Sequence, residues 1–184
     1  MIATATPRLL LRELTPDDID ALAPILADPE VMRFSLSGPE TREQTAAFIT
    51  WCQEQYARSG FGLWAVVHTG DGRLIGYCGL SKWEIDGVHE VEVGYRLDPH
   101  YWGQGLGTEA AQAALAYARN RLGRRRVIAI IEAANVASVR VAEKIGMHWE
   151  KETILHDIPV RIYAVEDQIE GAQHGNVRRR PQQV

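Results

Sequence analysis

Apolar positions change their period several times along the chain, and each change marks an element. Leu9, Leu11 and Glu13 alternate with Leu10, Arg12 and Leu14, which predicts a short strand because successive strand side chains point to opposite faces. Thr15-Pro16-Asp17-Asp18 then offers a capping hydroxyl, a proline suited to the first helical position and carboxylates at the positive helix end. A helix is expected from Pro16, burying Ile19, Leu22, Ala23 and Leu26. Thr41 with Gln44 forms a capping box for a second helix, along which Phe48, Cys52 and Tyr56 recur every four residues. From Phe61 the period falls to two. Residues 61–67, 73–83 and 88–98 read as strands, joined at Asp71-Gly72 and Asp86-Gly87, dipeptides that supply the positive φ of a tight hairpin. An alanine-rich helix follows from Gly105 or Leu106 to about Leu122, with Arg119 and Arg121 at its negative end. Residues 127–132 form a buried-type strand, residues 136–145 a helix capped by Asn135 and stopped by Gly146, and residues 147–153 and 160–166 two last strands. Strands occur both in runs and between helices, so the class is α+β with a mixed sheet.

Composition narrows the function classes. The 184 residues suit one domain, assigned to 1–167, followed by a tail at 168–184 that loses apolar periodicity and is expected to be flexible. The hydrophobic and charged fractions, 46% and 24%, are those of an ordinary globular domain and exclude collagen-like, coiled-coil and disordered classes for the body. No apolar run approaches the roughly 20 residues that span a bilayer, and Met1 to Arg12 lacks the pattern of a secretory signal, so no membrane partner is expected. Cys52 and Cys78 have neither metal-ligand nor framework spacing; they read as reduced core residues of a cytoplasmic protein without a metal. With 20 basic against 24 acidic residues, bulk electrostatics argue against a nucleic-acid partner. Setting aside the arginine-bearing tail makes the body more acidic still, which suits a cationic acceptor.

The most informative stretch runs from Glu90 to Ala110: a strand feeds a loop with glycines at 103, 105 and 107, and the loop opens into the alanine-rich helix. First-turn N–H groups are unpaired, carry the positive end of the helix dipole and can be approached closely where side chains are missing. Such a loop suits an anion, with a pyrophosphate as the best fit. The dinucleotide fingerprint requires glycine at 103, 105 and 108, but position 108 is Thr108; the P-loop requires a GK[ST] tripeptide, which does not occur. Both readings fail, and with them a nicotinamide oxidoreductase.

Trp102-Gly103-Gln104-Gly105-Leu106-Gly107 resembles a third pattern, the [RQ]xxGx[GA] pyrophosphate loop of the GNAT family of acetyltransferases, with Trp102 where many members carry Arg or Gln. Tryptophan there is familiar in the RimJ/RimL-type branch of ribosomal-protein N-terminal acetyltransferases. Leu74 to Leu80 resembles the family's third strand, and Asn135 to Met147 its closing NxxSxxxxEKxG helix. The resemblance runs from about Arg8 to Val165. It implies the GNAT fold, a mixed central sheet with helices on both faces, splayed at an acetyl-CoA cleft. It also implies an N-acetyltransferase that passes the acetyl group of acetyl-CoA directly to a primary amine, either a peptide N-terminus or a small molecule. Monomer and homodimer both fit.

Acetyl transfer from a thioester needs a base for the amine, donors for the oxyanion and a partner for the departing thiolate. By resemblance Glu92 is the base, with Glu90 two residues away on the same face as its rival, and His89 and His100 as the histidine alternatives. The backbone of Tyr95, Arg96 and Leu97 is assigned to the pantetheine arm and the thioester carbonyl, and the backbone of Trp102, Gly103, Gln104, Gly105, Leu106, Gly107 and Thr108 to the pyrophosphate. Asn135 is assigned to the pantetheine as well as the helix cap. Many members carry a tyrosine acid at the position of Ala142, so the thiolate partner falls to Ser138, as a hydrogen-bond donor. The absent tyrosine also leaves open a non-catalytic acyl-CoA-binding or sensing module. Phe34, Trp51, Tyr56, Trp64 and Trp83 are divided between core and acceptor pocket, and the loop Ser35 to Glu40 is the expected source of acceptor specificity.

Overall fold

The structure is a computed structural model describing residues 1–166. The tail expected at 168–184 lies outside the described residues. The strands are β1 (Ile2–Ala5), β2 (Leu9–Arg12), β3 (Leu63–His68), β4 (Leu74–Ile85), β5 (Val88–Leu97), β6 (Arg126–Ile131), β7 (His148–Leu155) and β8 (Ile158–Glu166). The helices are α1 (Ile19–Leu26), α2 (Arg42–Ser59), α3 (Leu106–Leu122) and α4 (Val136–Lys144). One mixed sheet has the order β1-β2-β3-β4-β5-β6-β8-β7. Every neighbouring pair is antiparallel except β5–β6, which is parallel and shares a single registered pair, Glu92 with Ile128.

Helices cover both faces, as the α+β reading expects. On one face α3 buries Ala110, Ala111, Ala114 and Ala118 against Leu9, Leu11, Val66, Val91 and Val93; with only a methyl per residue the helix lies close to the sheet. α4 joins this layer through Ala142. On the other face α1 and α2 place Leu22, Leu26, Ile49 and Cys52 over Leu63 and Ala65. A smaller cluster, Ile85, Ile128, Val160 and Ile162, lies under β6 and β8. Cys52 and Cys78 are free and buried.

Three features depart from the sequence reading. β1 was not anticipated: Ile2, Ala3, Thr4 and Ala5 give little contrast between faces, and an edge strand leaves part of each face in solvent. The helix expected from Pro16 opens as a 3₁₀ turn at Pro16–Asp18, because Asp18 turns back to accept both guanidinium nitrogens of Arg12, at 2.7 and 2.6 Å, and the Thr15 N–H at 2.8 Å. The last hairpin is longer than expected, closing with Leu155 opposite Ile158. Its turn residues, His156 and Asp157, both have positive φ without a glycine to announce it.

Glu90, the rival base, is engaged. Its carboxylate accepts from Arg126 Nε at 3.0 Å, and Arg126 also reaches Glu150 at 2.8 Å. Arg126 begins β6, and Glu90 precedes the one β5–β6 register pair by the same two residues, so this ion pair staples the closed end of the two strands. Replacing Arg126 by Ala leaves a largely buried carboxylate unpaired. It is expected to lower unfolding stability by about 1–3 kcal/mol, less than a fully buried pair because Arg126 and Glu150 touch solvent. Urea unfolding checks this, and adding Glu90→Gln to the Arg126→Ala chain should restore part of the loss.

Candidate active site

Beyond Glu92 and Ile128 the two strands part, and the gap between them is the centre of the site. A narrow opening of about 50 Å³ lies there, lined by Glu92 to Arg96 from β5, by the end of β6, and by Asn135, Ser138 and Ala142 of the α4 region. A wider cleft of about 530 Å³ adjoins it, walled by Phe34, Trp51, Trp83, Glu40 and Leu155. Glu92, Gly94, Tyr95 and Arg96 belong to the walls of both.

Strand parity sorts their side chains. Val91, Val93 and Leu97 are buried, with Tyr95 packed against the same α3-side core. Glu92, Gly94 and Arg96 therefore point to the opposite face. Glu92 Oε2 accepts from Ser81 Oγ at 2.7 Å and from Trp83 Nε1 at 3.0 Å. Both donors converge on one oxygen of the carboxylate, Oε2. A Cβ on Gly94 would stand 3.3 Å from the carboxylate, so the glycine keeps the space that this side chain occupies. Burial raises the Glu92 pKa above the ordinary glutamate value, opposed by the two hydrogen bonds and by the charge of Arg96. A carboxyl so placed has become a stronger base than a solvated one.

Of the other candidate bases, His100 is exposed and bonded to Asp98 at 2.7 Å, and His89 is exposed; neither lines the cleft. Phe34, Trp51 and Trp83 do line it, whereas Trp64 is core and the Tyr56 hydroxyl bonds the backbone of Leu14 and Leu63. Ser81 was missed by sequence reasoning. Its signal was the strand register, which sets Ser81 directly opposite Glu92. Leu155 and Val160 of the extended hairpin were missed for want of a glycine at the turn.

On the α3 side, Gly103 and Gly105 adopt positive φ, +73° and +79°, and Gly105 stands at the N-cap with no side-chain cap. The first-turn amides are thus unclaimed by any capping side chain, which fits a pyrophosphate. Leu106 is buried, so only its backbone faces this site; Gly107 and Thr108 continue the first turn. Arg8, read only as part of the opening strand, anchors the loop: its Nη1 donates to Gln104 O at 2.9 Å while Nε holds Glu109 at 2.7 Å. Trp102 Nε1 donates to Leu97 O at 2.7 Å and Arg96 Nη1 to Tyr95 O at 2.9 Å, so two carbonyls of the strand end already have partners within the chain. Asn135 caps α4 by accepting from Ser138 N at 3.1 Å, and Ser138 Oγ accepts from the Tyr95 hydroxyl at 3.2 Å. Among the described residues no group of acidic, histidine and cysteine side chains could hold a metal, and no helix is long and apolar enough to cross a membrane.

The parted sheet beside an uncapped, glycine-opened helix defines an acetyltransferase of the GNAT class. The family model described as an acetyltransferase (GNAT) domain matches residues 8–148, and the chain belongs to that family, whose members take their acetyl group from acetyl-CoA. Two relatives from Bacillus subtilis strain 168 are similar over most of their length. The uncharacterized protein YkkB is 35% identical over 86% of this chain and 92% of its own, and the uncharacterized N-acetyltransferase YnaD 33% identical over 79% and 82%. Among solved structures, a GNAT-family acetyltransferase from Bacillus anthracis superposes with TM-score 0.76 at 31% identity, covering 90% of this chain and 98% of that one. RimL, the ribosomal L7/L12 α-N-protein acetyltransferase solved with coenzyme A, shares the fold with TM-score 0.76 at 21% identity, covering 90% and 98%.

The hydrogen bond from Ser81 favours the charged form of Glu92. Ser81→Ala is therefore expected to raise the Glu92 midpoint further, because it removes a donor to the charged form. Carbon-13 NMR of the glutamate carboxyls measures it, and an unchanged or lower midpoint would contradict the assignment.

Proposed function

We propose that this acetyltransferase transfers the acetyl group of acetyl-CoA by direct attack of a primary amine, with Glu92 as base and Ser138 as the partner of the departing thiolate. The observation that carries the reading is that the Glu92 to Arg96 stretch walls both openings, the narrow one at the strand gap and the wide aromatic one. An amine entering the wide cleft meets Glu92 on one face of β5. The thioester, lying along the strand edge, has its sulfur side toward Tyr95 and Ser138 on the other. The backbone amides from Gly103 to Thr108 hold the pyrophosphate, and the backbone N–H groups of the Tyr95, Arg96 and Leu97 edge, whose Tyr95 and Leu97 carbonyls are already engaged, take the pantetheine together with Asn135.

The chemistry follows from these placements. Glu92 removes the ammonium proton, directly or through a bridging water, as the amine approaches the carbonyl carbon. The oxyanion is met by a backbone N–H of the β5 edge. When the intermediate collapses, the C–S electron pair passes to sulfur, which Ser138 meets with its hydroxyl proton. The acceptor is a protein N-terminus or a small-molecule amine. The fold shared with RimL and the tryptophan at position 102 support a RimJ/RimL-like enzyme acting on an N-terminus. The aromatic wall of Phe34, Trp51 and Trp83 suits an acceptor with an apolar body. A cytoplasmic setting is consistent with both thiols being free.

Glu92→Gln is the decisive variant. Turnover of acetyl-CoA with a panel of amines and N-terminal peptides should fall by about two to four orders of magnitude, while calorimetric CoA affinity stays unchanged. Full turnover would remove Glu92 from the mechanism. CoA binding without turnover by the unsubstituted chain, over the whole panel, would favour a sensing module instead.

A further inference from the structure

β5 presents its carboxylate on one face and a phenol on the other, and the phenol has no part in the mechanism above. Tyr95 is fixed by its surroundings. Its ring lies beside the first turn of α3, 3.6 Å from where a Cβ on Gly107 would stand, and packs against the core beneath that helix. Its hydroxyl crosses to the first turn of α4 and donates to Ser138 Oγ at 3.2 Å, a contact between residues 43 apart in sequence. Both side chains line the narrow opening, together with Ala142, one turn further along α4 and too small to reach across.

The partners of Ser138 are divided in a way that matters. Its N–H is satisfied by Asn135 Oδ1 at 3.1 Å, and its hydroxyl oxygen is occupied as an acceptor by Tyr95. What is left for the opening is the serine's own proton. A serine in a first helical turn ordinarily bends its hydroxyl toward nearby backbone, which would take that proton away from the sulfur. Acceptance from a donor anchored on the opposite strand fixes the rotamer and polarises the O–H bond in the direction of the opening.

We infer that Tyr95 is a positioning residue for thiolate departure: its hydroxyl holds Ser138 so that the serine proton faces the sulfur. The inference rests on Ser138 being the thiolate partner. No tyrosinate forms. As the C–S bond breaks, its electron pair goes to sulfur and the serine hydroxyl hydrogen-bonds the thiolate. The nitrogen gives up two protons on the way from ammonium to amide, the first to Glu92 before attack and the second as the intermediate collapses; both pass to solvent, the thiolate takes one back, and one proton is released per transfer. Burial pushes the Tyr95 hydroxyl up to about 12, which keeps it a donor throughout the pH range of an assay. The groups that act on it are Ser138 on α4 through the hydrogen bond, the Cys78 thiol on β4 and the Arg96 guanidinium on its own strand.

The test compares Tyr95→Phe, Ser138→Ala and the double variant of the full chain in single-turnover acetyl transfer, with CoA affinity measured by calorimetry. Phe retains the ring that wedges between helix and sheet and deletes only the donor. Tyr95→Phe is expected to slow transfer about tenfold, the rate equivalent of one hydrogen bond, with acetyl-CoA KM within about twofold. The double variant should be no slower than Ser138→Ala alone, because Tyr95 acts only through Ser138. Wild-type rate in Ser138→Ala would remove the thiolate role on which the inference rests. A slow Ser138→Ala beside a fully active Tyr95→Phe would overturn the inference alone. Multiplying effects in the double variant, or loss of CoA binding in Tyr95→Phe, would overturn it too, showing that the hydroxyl serves packing or the cofactor site.

Discussion

Everything functional in this fold depends on two parallel strands that meet at one register pair and then separate. β5 and β6 are joined at Glu92 and Ile128, held below that point by Glu90 and Arg126, and apart above it. A complete parallel ladder would have satisfied the backbone of Gly94 to Arg96 within the sheet and left nothing to pair with a ligand. The parted strands instead expose an edge in the middle of the sheet, where an edge strand is normally a liability. Covering by α3 and α4 on one face and by the loop before α2 on the other turns that liability into two confined openings. The ion pair at the closed end and the opening at the other end are therefore two ends of one arrangement.

Because a strand alternates its side chains, the same four residues serve both openings without competing for space. Glu92 and Arg96 point to one face of the strand and Tyr95 to the other, while Gly94, without a side chain, leaves room for the carboxylate. In the proposed mechanism the two chemical tasks, taking a proton from nitrogen and stabilising charge on sulfur, are separated by the thickness of a strand. Burial makes Glu92 costly to ionise, and the hydrogen bonds from Ser81 and Trp83 offset part of that cost. A third donor on Oε1 would have made a more stable carboxylate and a poorer base.

Much of this was legible in the chain because periodicity and turn chemistry agree with the final fold. The two Asp-Gly hairpins, the Thr41–Gln44 box and the Asn135 cap all stand where the residues put them. What escaped had physical reasons. β1 carries too little apolar contrast; the last hairpin turns on His156 and Asp157; Asp18 answers to Arg12 more than to its own helix. In the site, Glu92 is proposed from its place on the strand by resemblance, and that Glu90 is held in an ion pair appears only with Arg126, a residue 36 positions away. Ser81 and Tyr95 illustrate the general limit. A hydroxyl has no sequence pattern for its partner, and only strand register and helix docking reveal which group it meets.

Arg96 shows how the two sides are kept in step. Its backbone belongs to the exposed edge of β5, and its guanidinium donates to Phe34 O at 3.0 Å, tying the acceptor-side loop to that strand. The loop's Glu40 lies in the same wall, with burial raising its pKa and Arg96 opposing the rise. Among the described residues, Glu40 Oε2 and Arg96 Nε are the two buried side-chain polar atoms without a hydrogen-bond partner. A fold that satisfies nearly every other buried polar atom carries this pair where the acceptor loop meets the strand, and such deficits concentrate where function constrains the side chains. Both atoms lie where the loop before α2 meets the strand that carries Glu92.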